Sequence, residues 1–168
     1  MQVVKMDERQ TPLLSQLTIR VGTPDDLDII MHHRRSMYLD MGYRDESALT
    51  TMLASSRVFF AKRLANGTYR AWLVESAAKE VVAGGGLFIY DYHPSVSDPR
   101  PKRPLIANMY TEPPYRRKGI ARKLMETMID WCREEGFGSV VLHASVEGRP
   151  LYESLGFKQT NEMRLMLD

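Results

Sequence analysis

Apolar and polar residues alternate along Leu17-Thr18-Ile19-Arg20-Val21, the two-residue period of a strand with one buried face. Thr23-Pro24-Asp25-Asp26 then reads as a helix start: a capping hydroxyl, a proline at the first helical position, and acidic side chains near the positive end of the helix dipole. The line Leu27, Ile30, Met31, Arg34, Met37 and Tyr38 keeps helical spacing to about Asp40, with Gly42 as the stop. Beside it runs a polar series, His32, His33, Arg34 and Arg35. A second helix is expected over about Glu46 to Ala65, with a break at Ser55-Ser56 and a cap at Asn66-Gly67. Tyr69–Glu75 and Val81–Tyr90 follow as a strand pair turning around Ala78-Lys79. Gly84-Gly85-Gly86 lies inside the second of these strands and opens no helix, so close backbone packing or a bulge explains it better than a phosphate loop.

Four prolines from Pro94 to Pro104 mark a loop, a candidate flap on the substrate side. Leu105–Thr111 is the next strand; Pro113-Pro114 breaks it, and an amphipathic pattern then runs to about Glu135. Ala121, Leu124, Met125, Met128 and Cys132 line one face of that helix, and Arg122, Glu126, Asp130 and Arg133 the other. Gly136 and Gly138 end it. Ser139–Ala144 is an apolar run expected as a central strand, Glu147–Leu155 a short helix, and Phe157–Leu167 a terminal strand or tight hairpin. Residues 1–16 show no period and read as an N-terminal arm, leaving 17–168 as a single domain. The order of elements gives an α/β (α+β) fold, a mixed sheet with helices on both faces.

Composition narrows the picture. With 168 residues, 43% of them apolar, the chain can bury one core. A single cysteine, Cys132, excludes an intrachain disulfide and a cysteine-based metal cluster. Adjacent His32 and His33 point about 100° apart on a helix and are poorly placed to share a metal. No apolar run is long enough to span a bilayer and the first residues lack a signal-peptide pattern, so a cytoplasmic protein without membrane attachment is expected. The net charge is +2, yet five of the eight residues from Arg116 to Lys123 are basic; the rest of the chain has 18 basic against 21 acidic residues. That concentration argues for one discrete anionic ligand rather than a nucleic-acid surface.

The basic stretch sits where a strand gives way to a helix. Unpaired N–H groups and the positive end of the dipole favour an anion there, and Gly119 with Ala121 leaves the first turn uncrowded. Arg116-x-x-Gly119-x-Ala121, after a strand ending Met109-Tyr110-Thr111, resembles the acetyl-CoA pyrophosphate signature of the GNAT superfamily of N-acetyltransferases. Leu151-Tyr152-Glu153-Ser154-Leu155-Gly156-Phe157 resembles that family's second signature, near the C-terminus. Both motifs stand in the family's order, separated by one strand.

The resemblance implies a mostly antiparallel sheet whose central strands splay to admit acetyl-CoA as co-substrate, with no metal. It places the backbone of Met109, Tyr110 and Thr111 against the pantetheine and the N–H groups of Arg117, Lys118, Gly119, Ile120, Ala121 and Arg122 on the pyrophosphate, next to Arg116. Tyr152 falls at the family's general-acid position, because a departing thiolate needs a proton. Ser145 stands where many members have a cofactor-contacting Asn; it is either a weaker contact or a helix cap. The general base is open between Glu112, His143 and a water chain. Direct attack of a primary amine on acetyl-CoA is the expected activity. The rival readings are a non-catalytic acyl-CoA sensor and, with less support, a nucleic-acid module using Arg116–Lys123 with Lys102 and Arg103. The acceptor amine and a homodimer stay open, with acceptor contacts expected from Met31 to Arg44, Tyr92 to Arg103 and the terminal segment around Glu162.

Overall fold

Over residues 16–96, 98–160 and 162–167, which the computed structural model describes, the chain runs β1 (Thr18–Val21), α1 (Leu27–Asp40), α2 (Glu46–Asn66), β2 (Tyr69–Glu75), β3 (Val81–Asp91), β4 (Lys102–Thr111), α3 (Ile120–Glu134), β5 (Val141–Leu142) and α4 (Arg149–Ser154). The expected N-terminal arm lies, except for its last residue, outside the described residues. The strands join in chain order into one sheet, antiparallel from β1 to β4 and parallel between β4 and β5.

Local chemistry sets the ends of the elements. The Thr23 N–H donates to Asp26 Oδ2 at 2.7 Å, and Arg20 donates to both Asp26 oxygens and to Glu75, tying β1, β2 and the start of α1 together. Hydrogen bonding from Arg20 holds the Asp26 carboxyl down at about 2. At α2, the Asp45 side chain accepts from the Ser47 and Ala48 N–H groups, and Gly67 closes the helix at a φ of 75°. The break expected at Ser55-Ser56 is absent. Ser56 faces inward and its hydroxyl accepts from Arg34 Nε at 2.9 Å, so the polar pair belongs to a contact between α1 and α2.

Alternation along β2 divides the core. Trp72 and Val74 pack with Leu87 and Ile106 under the Ile120, Leu124, Met125, Met128 and Cys132 face of α3. Tyr69, Ala71 and Leu73 point the other way, onto Ile30, Met31 and Phe60 of α1 and α2. Helices therefore cover both faces.

Two expectations fail at the C-terminal side. Ser139–Ala144 supplies only Val141 and Leu142 as strand, and β5 is an edge rather than a central strand. Residues 157–160 and 162–167 form no strand, and Met163, Leu165 and Leu167 are more than 80% exposed. The alternation there is real, but a two-residue β5 is too short to register another strand against it.

The glycine triplet does mark a bulge, but on the facing strand. Gly84 pairs with Tyr110 and Gly86 with Ala107, so Asn108 and Met109 together oppose Gly85. Asn108 takes a left-handed φ of 60°, whereas the triplet has ordinary dihedrals; the glycines provide room and the asparagine provides the turn. A Cβ on Gly85 would run into Met109 Sδ. Gly85→Val is expected to destabilise the fold by about 2 kcal/mol or more through overpacking, read as a lower urea midpoint.

Candidate active site

Beyond the Ile106↔Leu142 pair, β4 has no strand partner on its β5 side among the described residues. Pairing with β3 continues, because Gly84 faces Tyr110 and the Glu112 N–H donates to Val82 O at 2.9 Å. In an antiparallel ladder successive residues turn their peptide groups to opposite sides, so Thr111 directs its own away from β3. Arg116 Nε reaches Thr111 O from that side at 2.8 Å. A wedge between β4 and β5 thus exposes strand N–H and C=O groups that an extended ligand can bond.

The wedge leads to the start of α3. A 3-10 turn at Pro113–Tyr115 redirects the chain, and Gly119 sits at the helix N-cap with a φ of 81°, where a side chain is strained. Arg117 is also left-handed, at 61°. Among the described residues no side chain caps the start of α3, and its first N–H groups follow a kinked backbone, an arrangement that can cradle an anion. The basic side chains have other employment. Arg116 Nη2 pairs with Asp40 at 2.6 Å, and Lys118 Nζ donates to Pro114 O. Arg122 Nη2 donates to Ser154 Oγ at 2.6 Å, which joins the first turn of α3 to α4 and brings the two sequence motifs into contact.

Tyr152 on α4 is half-buried, its ring against Phe157 and Gly148. Burial pushes its hydroxyl above the ordinary tyrosine range, so it stays protonated. His143 is exposed, 3.6 Å from Glu162, and lines with Tyr152 an open cleft of about 1320 Å³ beside β5. Ser145 Oγ accepts from the Gly148 N–H at 3.1 Å and its carbonyl from Arg149, closing the turn that leads into α4, whose N-cap is Gly148. Glu112 is elsewhere: it faces α1, with His32 Nε2 at 3.0 Å and His33 Nε2 at 3.7 Å, and does not line that cleft.

A family model described as the Acetyltransferase (GNAT) family matches residues 31–157. The chain belongs to that family. A GCN5-related N-acetyltransferase of Ralstonia eutropha JMP134 shares the fold with a TM-score of 0.85 and 34% identity, covering 90% of this chain and 98% of that one. A predicted acetyltransferase of Clostridium acetobutylicum, whose crystal structure is with acetyl-CoA, gives a TM-score of 0.80 and 26% identity over 90% and 96% of the two chains. Human N-acetyltransferase 8 is 32% identical over 96 residues, 54% of this chain, and the match spans only 39% of that relative's length.

In this GNAT domain buried polar residues near β4 go beyond those singled out by motif. His33 is 2% exposed, and burial lowers its pKa to about 4 against the pull of Glu112. It is therefore neutral near pH 7, and its approach to Glu112 is a contact with a neutral ring. Arg34 Nη1 donates to Asn108 Oδ1 at 2.9 Å, while its Nε holds Ser56. Each charge-assisted bond contributes about 1.5–3 kcal/mol, enough to offset the left-handed conformation of Asn108 at roughly 1 kcal/mol. An asparagine inside an otherwise apolar strand run was the available sequence signal.

Two outcomes check these placements. Because His33 binds its proton less readily folded than unfolded, stability should be full above pH 6.5, fall between pH 6.5 and 4, and level off below, by up to about 3 kcal/mol. Urea unfolding across that range should show the loss, and His33→Gln should flatten it. Gly119→Val should raise the Kd for CoA about five- to thirtyfold in calorimetry, since strain of about 1–2 kcal/mol falls on the turn at the start of α3.

Proposed function

We propose that this domain transfers the acetyl group of acetyl-CoA to a primary amine by direct attack within a ternary complex. The observation that carries the reading is the Arg122–Ser154 bond, which sets the anion-binding turn beside the helix bearing Tyr152. The residues suit the ligand: unpaired strand groups for a pantetheine amide chain and a helix start with Gly119 for a pyrophosphate. Met109, Tyr110 and Thr111 would hold the first, and the backbone from Arg117 to Arg122 the second.

Acetyl transfer forms a C–N bond and breaks the thioester C–S bond, so the amine loses one proton and the sulfur gains one. Tyr152 supplies the sulfur's proton; its raised pKa keeps the O–H available and solvent restores it. Of the two candidate bases, His143 shares the cleft with Tyr152, whereas Glu112 is engaged on the α1 side. His143 is accordingly assigned to take the amine's proton. Cys132 is no covalent relay: it is buried in the α3 core and its thiol is pushed up to about 11.

The cleft also bears on the acceptor. Arg103, Arg133, Arg149, Lys158 and Arg164 line it against Glu153 and Glu162, a balance that favours an amine also carrying an anionic group over a polyamine.

CoA-thiol release measured across amines tests the whole reading. Anionic amines should outperform spermidine, and Tyr152→Phe should lower kcat about a hundredfold with acetyl-CoA binding within threefold of wild type. Unchanged turnover in Tyr152→Phe removes the acid. Silence with every amine, alongside tight acetyl-CoA binding, favours a sensor.

A further inference from the structure

We propose that Arg34 is a positioning residue for acetyl transfer, gripping the Asn108 side chain from α1 and so holding the β4 bulge that opens the strand toward the substrate wedge. The inference rests on the activity proposed above. Its basis is geometric. The bulge exists because Asn108 and Met109 oppose the single residue Gly85, and it requires the left-handed backbone at Asn108, which is 6% exposed. That conformation has no glycine to make it easy. It is held instead by the side chain, whose Oδ1 accepts from Arg34 Nη1 at 2.9 Å.

Arg34 is itself fixed from three other directions. Its Nε donates to Ser56 Oγ at 2.9 Å, its Nη2 approaches the Tyr38 hydroxyl at 3.5 Å, and its plane lies 5.2 and 5.3 Å from the Tyr38 and Phe60 ring centres. It forms no ion pair among the described residues. A half-buried cation spent wholly on neutral acceptors is a costly way to fill space, and a packing role would be met by an apolar side chain. The planar fork is what the position uses: it spans Ser56 on α2 and Asn108 on β4 at once, which an ammonium cannot do. Two helices thereby set the place where β4 departs from regular pairing. Among the residues that follow, Thr111 is the one whose peptide groups turn to the wedge, while Tyr110 stays paired with Gly84.

The test uses Arg34→Met, which keeps the stem and removes the fork, Asn108→Gly, which holds a left-handed backbone unaided, and the double variant. Arg34→Met should lower kcat ten- to a hundredfold with KM for acetyl-CoA within threefold, and should speed hydrogen exchange of a 105–112 peptide at least tenfold. In the Asn108→Gly background the same Arg34 change should alter kcat less than threefold, because the bulge no longer needs the grip. A structural role alone would give multiplying effects in the double variant, and that result overturns the proposal, as does a folded Arg34→Met with wild-type kcat and exchange. If Arg34→Met does not fold, Arg34→Lys gives the same comparison. If wild type acetylates no amine, the activity reading fails by itself, and the exchange measurement still decides whether Arg34 holds the bulge.

Discussion

The left-handed turn of the backbone at Asn108 is the constraint from which the site follows. A regular β4 would continue along its neighbours and leave no unpaired edge inside the fold. One extra residue opposite Gly85 interrupts the register with β3, the β5 ladder ends at Leu142, and Thr111 O is met by Arg116 rather than by a strand. Gly85 must be small because Met109 leans over it, and α1 must lie close because Arg34 reaches Asn108 from there. The apolar faces of β2, packed on α1 and α2 on one side and α3 on the other, make this local irregularity affordable by fixing everything around it.

Charge is distributed by the same logic. Little of the basic cluster that marks the start of α3 is held ready as free cations: Arg116 pairs with Asp40, Lys118 caps a carbonyl and Arg122 binds Ser154. An anion bound there would then rest chiefly on backbone N–H groups, which cost no side-chain entropy to organise. Desolvation governs the histidine next to Glu112. Taking His33 out of water outweighs the attraction of a carboxylate 3.7 Å away, so proximity of opposite types does not create an ion pair.

Much of the architecture was legible because its signals are local and periodic. The Thr23-Pro24-Asp25-Asp26 start, the Asn66-Gly67 end of α2 and the α3 stripe through Cys132 each follow from helix geometry and appear where expected. The two motifs were equally readable. What escaped depends on residues distant in sequence. Ser55-Ser56 looked like a helix break because its partner, Arg34, lies 22 positions away from Ser56. The glycine triplet signals close backbone packing or a bulge, and both apply: its glycines pack tightly, while the extra residue belongs to a strand two dozen residues on. The terminal alternation at Met163, Leu165 and Leu167 promised a strand, yet alternation specifies a face and not a neighbour. Of the two proposed bases, His143 lines a cleft with Tyr152 and Glu112 faces α1, a difference that no local sequence signal carries.

The hydrogen bond from Arg122 to Ser154 has a thermodynamic corollary. One guanidinium lies within reach of both the anion-binding turn and the helix of the tyrosine, so the two are linked reciprocally. A phosphate that drew Arg122 to itself would relax its hold on α4, and whatever steadied α4 against Arg122 would take a cation from the phosphate. Under the proposed activity, loading of a phosphate and the setting of Tyr152 would thus be coupled through a single shared side chain.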